Sequence, residues 1–152
     1  MAKLADEAGG VADRFADWEE VDQQLRAPQY YAYWRSRRML EAGFLPDYVS
    51  DAEVYDHTGN ALGRFDASTL PAQISLPPPP FYVDYSNAEP TLLIFRSVPR
   101  LTTGAVDGAR GFVGLRVKFM TAMRERYAYR YAEPDSIGFT RAGAATLTWD
   151  EL

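Results

Sequence analysis

His57 is the single histidine of this sequence, and cysteine is absent. The side chains that most often hold zinc, attack carbonyl carbon or shuttle protons near neutral pH are therefore almost missing. A Ser-His-Asp triad would have to use His57, which stands in His57-Thr58-Gly59-Asn60, a run of turn-forming residues. The expectation is an exposed turn residue. Asp47, Asp51, Glu53 and Asp56 carry oxygens that suit calcium or magnesium, but their spacing departs from the EF-hand loop. Glu19-Glu20 would point apart on a helix, and Asp150-Glu151 falls at a chain end where carboxylates are usually solvated. No Gly-x-Gly-x-x-Gly opens a helix and no phosphate loop ending in Gly-Lys-Ser or Gly-Lys-Thr is present. The reading is a chain with no catalytic set, no cofactor and no resident metal.

What the sequence does carry is aromatic and basic. Tyr30, Tyr31 and Trp34 adjoin Arg35, Arg37 and Arg38, a mixture able to stack on single-stranded nucleic acid. A net charge of −5 opposes that reading, and an amphipathic helix explains the pattern better. Residues 1–76 hold 7 basic and 13 acidic side chains, and residues 77–152 hold 9 and 8. An acidic first half can face a basic partner, as an inhibitor or immunity-type protein does, though a solvated helix surface is the preferred explanation. A second grouping, Tyr82, Tyr127 and Tyr129 with Arg126 or Arg130, could line a small-ligand pocket or an active site inside a curved sheet.

The elements that must position these residues divide at Ser75-Leu76-Pro77-Pro78-Pro79-Pro80-Phe81. Four prolines in a row fix φ and remove donors, so this piece reads as a polyproline II spacer. A rarer role would be a ligand for an aromatic-grooved adaptor module. Upstream, Val11, Phe15, Trp18, Val21 and Leu25 recur at helical intervals and predict a helix over 11–26. Pro28 begins a second one over 29–42, with Gly43 as its C-cap. Ala52 to Asp56 and Ala61 to Asp66 flank the Thr-Gly-Asn turn as a hairpin.

Downstream, alternation predicts strands over 81–86, 91–96 and 113–119. The stretch 121–131 fits both periods, and strand is preferred for 125–131. A last hairpin turns at Arg141-Ala142-Gly143. Residues 98–111 form the longest segment without apolar periodicity, and long loops in compact domains tend to carry contacts.

The resulting expectation is an α+β chain: two N-terminal helices followed by a mostly antiparallel β-sandwich or partly open barrel. Residues 1–10, ending in Gly9-Gly10, read as a flexible leader, and 11–152 as one domain with a helical arm over 11–44 and a β-rich body over 52–149. No apolar run suits a membrane span or a signal peptide, so cytoplasmic synthesis and solubility are expected. The function expected is non-catalytic interaction or assembly, with a protein partner or a second copy, such as a phage virion subunit. Its interaction residues are Thr102, Thr103 and Asp107 from the long loop, with Trp34, Arg37 and Tyr129 as anchors.

Overall fold

A computed structural model describes residues 2–39, 43–63, 68–86, 88–99 and 110–128. Helix α1 (Ala2–Ala16) begins where a leader was expected. Leu4, Ala8, Val11, Ala12 and Phe15 keep the three- and four-residue spacing of one face, and all five are buried. The Gly9-Gly10 pair does not break the helix, because Gly9 is a site of close approach. A Cβ there would lie 2.6 Å from the Arg96 guanidinium, which crosses α1 to reach Asp13.

The single helix expected over 11–26 is two. Trp18 turns extended (φ −68°, ψ 121°) and α2 (Glu19–Arg26) restarts with Glu19, Glu20 and Asp22 in its first turn, where the helix dipole favours acids. The bend lays the Trp18 ring on Phe44, centroids 4.4 Å apart. The second predicted helix is also composite: a 3₁₀ turn at Pro28–Tyr30, one α turn, α3 (Tyr31–Trp34), and a π-helical segment at Arg35–Met39.

Four strands follow: β1 (Val49–Asp56), β2 (Phe81–Asp84), β3 (Thr91–Val98) and β4 (Gly111–Lys118). They form one antiparallel sheet in the order β1-β4-β3-β2. The α+β expectation holds, with helices preceding a four-stranded antiparallel sheet that is not closed into a barrel; among the described residues its second face is covered by irregular chain over 68–80. The proline run does not divide the fold into halves either, since β1 pairs with β4 from beyond it.

Strand alternation divides the sheet's side chains between two layers. Ala52, Val54, Leu92, Ile94, Val113, Leu115 and Val117 pack with the helices, α1 across β3 and β4, α2 against β1. Full burial of a side chain of this size stabilises by about 1.5–3 kcal/mol. Tyr55, Leu93 and Phe95 face the other way and meet Leu70 and Ile74 from the chain that runs back over the sheet. The second hairpin strand, expected over 61–66, is described only as far as residue 63. After a turn held by Asp56, which accepts from the N–H groups of Thr58 and Asn60, the described residues form isolated bridges, Tyr55 to Ala61 and Asn60 to Gln73. Gly59 is required there: its φ is 85°, and a Cβ would sit 2.6 Å from the Ile74 carbonyl. The Tyr55 hydroxyl donates to the Pro71 carbonyl at 2.9 Å and ties the segment down.

Helix α4 (Phe119–Ala128) leaves β4 directly, so the described part of 121–131 is helical and not the preferred strand; Ala122 and Met123 seat it on the core. The predicted hairpin around residue 141 lies outside the described residues, as do residues 100–109 of the long loop, whose ends Val98 and Gly111 belong to strands.

Candidate functional site

A row of charged side chains crosses the sheet's second face from edge to edge. Asp51 and Glu53 share that face of β1 with Tyr55, and register brings Arg116 opposite Asp51 and Leu93. Arg116 sends one nitrogen to Asp84 at 2.9 Å and to the Thr91 hydroxyl at 2.7 Å, and the other to the Thr69 carbonyl at 2.6 Å. Thr69 returns its N–H and hydroxyl to Asp51 Oδ2 at 2.6 and 2.9 Å. Asp51 Oδ1 accepts from Arg35 at 2.6 Å, and beyond Arg35 lies Glu53, with no exposed surface. The Tyr31 hydroxyl donates to Glu53 Oε1 and accepts the Val54 N–H. Three carboxylates thus alternate with two guanidinium groups, the arrangement that lets ionised groups stay charged away from water.

Environment sets the protonation of this row. Hydrogen bonds from Ser86, then the Arg116 guanidinium, hold the Asp84 carboxyl down at about 2. Burial, then the Glu53 carboxylate, pushes the Tyr31 phenol well above its ordinary value, so it remains a donor. Burial first, with Glu53 next, does the same to Tyr55.

At the Glu53 end the row opens into a cleft lined by Tyr31, Arg35, Ser36, Glu53, Gly63 and Ser68, about 120 Å³ in volume. Proteins often place π-helical segments beside functional sites, and the one here begins at Arg35.

The opposite edge of the sheet is different in kind. The Phe95 N–H donates to the Pro80 carbonyl, which fixes the phase of the β2 to β3 ladder. Alternate residues Phe81 and Val83 then turn their own N–H and C=O groups outward. Among the described residues no strand pairs with that side. Leu76, Phe81, Tyr82 and Tyr85 are all exposed along it, Phe81 by 51% and Tyr85 by 66%.

The residues singled out from sequence fall in several places. Trp34 is buried, its ring beside Trp18 and its indole N–H on Glu20 at 2.7 Å, so it serves the core and not an outer surface. Arg37 is exposed on the π segment. Thr102, Thr103, Asp107 and Tyr129 lie outside the described residues, as does Arg130. Tyr82 stacks on Phe95 at the β2 edge with centroids 5.9 Å apart. Of the carboxylates weighed as metal ligands, Asp51 and Glu53 are taken up by Arg35 and Tyr31, and Asp56 by its turn. His57 is exposed at that turn.

Sequence reasoning missed Tyr31, Arg35, Glu53 and Arg116 as one group. The available signal was Asp51-Ala52-Glu53-Val54-Tyr55, acids alternating with apolar residues in a strand. Acids at every second position of a buried strand require cationic partners. Neither a family model, nor a curated protein, nor a solved structure matches this chain.

Proposed function

We propose that this chain is a non-catalytic interaction or assembly protein that engages its partner through the outer edge of β2. The β2 edge, unpaired among the described residues, carries the reading: outward N–H and C=O groups at Phe81 and Val83, with four large apolar side chains exposed over residues 76–85. Such an edge accepts an extended protein segment as an added strand, main-chain bonds giving affinity and the aromatic flank giving area. Exposed apolar side chains beside outward-facing main-chain groups are a hazard in a protein with no use for them. The preceding prolines suit this role, because they deliver β2 without offering further donors that would extend it.

The acidic helices support a basic partner less well. Asp13 is paired with Arg96, Glu20 with Arg38, and Asp22 with Arg26 and Arg110, all within the chain. A β2-edge contact also needs no ionisable group with altered reactivity.

Val83→Pro is the test. Its N–H points away from β3, so proline removes the outward donor without costing a ladder bond. Light scattering of the purified chain, or capture of its co-purifying partner, should show a discrete larger species that Val83→Pro and Phe81→Lys both abolish with unchanged circular dichroism. A monomer with no captured partner, or a complex indifferent to both substitutions, overturns the reading.

A further inference from the structure

Two buried polar atoms in the polar row have no hydrogen bond and border the same cleft: the carboxylate oxygen Oε2 of Glu53 and the guanidinium nitrogen Nε of Arg35. They stand 3.9 Å apart, too far to bond each other directly. Unsatisfied buried groups are uncommon and call for a cause. Elsewhere in the row Arg116 Nε is also without a partner, but it does not line this cleft, and the remaining carboxylate oxygens at this end are filled. Glu53 Oε1 takes Tyr31 and the Val54 N–H, and Asp51 takes Arg35 on one oxygen and Thr69 on the other.

One acceptor and one donor at this separation select the chemistry of what lies between them. A cation would meet the Arg35 charge and an anion would meet Glu53, so a neutral group suits both partners. A single atom that both accepts from Nε–H and donates to Oε2 satisfies the pair, and a hydroxyl oxygen does so. At about 2.8 Å from each partner it spans the gap with ordinary geometry. The cleft is several times the roughly 10–15 Å³ that one water needs, so it has space for a molecule larger than water. Ser36 and Ser68 add hydroxyl groups and Gly63 leaves the wall open, since a Cβ there would stand 3.0 Å from Glu53 Oε2.

We infer that the cleft bounded by Tyr31, Arg35, Ser36, Glu53, Gly63 and Ser68 binds a small neutral polyol or sugar, one hydroxyl of which bridges Arg35 Nε and Glu53 Oε2. This site lies at the β1 edge and does not depend on the interaction role of β2.

The experiment follows the Arg35 Nε–H resonance of ¹⁵N-labelled protein during titration with glycerol, erythritol and D-ribose. Propylammonium and propionate serve as charged controls of similar size. At least one hydroxyl compound should shift the resonance saturably, with a Kd on the order of 1 mM, as suits so small a ligand. The charged controls should leave it in place. Gly63→Ala, which fills the space beside Oε2, should weaken binding by about tenfold or more with the circular dichroism unchanged. Ser36→Leu, at an exposed lining position, gives the same readout should the alanine variant fail to fold. The inference falls if none of the three hydroxyl compounds moves the resonance. It falls equally if propylammonium or propionate binds as well as they do, or if a folded blocking variant binds undiminished.

Discussion

Arg35 holds Asp51 directly at 2.6 Å while its Nε faces Glu53 Oε2 across 3.9 Å, so one guanidinium answers for two buried carboxylates on the same strand. Removing Arg35 would leave both charges inside, and breaking a buried pair from one side costs about 3–5 kcal/mol. Arg35→Met should therefore lower the urea midpoint severely or prevent folding. Arg38→Met, whose partner Glu20 keeps its bond from Trp34 and lies near the surface, should leave the midpoint nearly unchanged. Equal effects from the two variants would show that the row is not the stabilising unit described above.

Asp84, at the far end of the row, gives the fold an acid dependence. Its folded pKa of about 2 lies below the ordinary carboxylate value, so the unfolded state binds the proton more readily. The stabilisation is fully present above about pH 4 and is lost as pH falls towards 2. The side chain is 18% exposed, and allowing for screening the contribution is about 1–2 kcal/mol. Asp84→Asn should cost that much by urea unfolding at pH 7, and the gap between variant and parent should close between about pH 4 and pH 2. A gap independent of pH would mean that packing, not charge, holds this position.

Gly111 and Gly114 lie in β4 with very different neighbours. An added Cβ at Gly111 would stand 2.3 Å from the Tyr55 carbonyl and 2.8 Å from Leu25, whereas at Gly114 it would meet the Phe95 ring at 2.9 Å and Tyr55 at 3.1 Å. Aromatic rings can shift; a paired strand carbonyl cannot without opening the β1 to β4 ladder. Gly114→Ala should cost about 1–3 kcal/mol, in the range of core overpacking. Gly111→Ala should cost more. Thermal unfolding of both variants checks the order, and the reverse order would place the strain elsewhere.

How much of this was legible from sequence depended on whether the deciding contact was local. Strands β2, β3 and β4 were readable because alternation and bounding turns are written in adjacent residues, as at Phe81 to Asp84 and Val113 to Val117. The break at Trp18 was not, since Val11, Phe15, Trp18, Val21 and Leu25 keep helical spacing across it and the bend is set by stacking on the distant Phe44. Of the second hairpin strand expected over 61–66 only 61–63 are described, with a single bridge at Ala61, and it is Leu70 and Ile74, further along the chain, that cover Tyr55 and Phe95. At 121–131 both periods fit, and in the described part, to Ala128, packing of Ala122 and Met123 goes with helix. The polar row was least visible, because Arg35 to Asp51 and Arg116 to Asp84 span 16 and 32 residues. From sequence Asp51 and Glu53 read as candidate oxygen ligands for a divalent cation, and the sheet instead places Arg35 beside both.

The glycine pair in α1 offers the sharpest contrast between local rule and tertiary contact. Both residues carry the same intrinsic helix penalty, yet their surroundings differ. A Cβ on Gly10 would meet only the tip of Arg14 at 3.8 Å, while one on Gly9 would collide with Arg96 at 2.6 Å. Gly10→Ala should therefore stabilise the protein by about 0.5–1 kcal/mol through helix propensity alone. Gly9→Ala has the same propensity gain but must displace the guanidinium from Asp13, so its net effect should be smaller or opposite in sign. Urea midpoints of the two variants measure the difference. If Gly10→Ala leaves stability unchanged, residues 2–16 are not a helix that the folded state depends on, and the burial of Leu4 and Ala8 loses its energetic meaning.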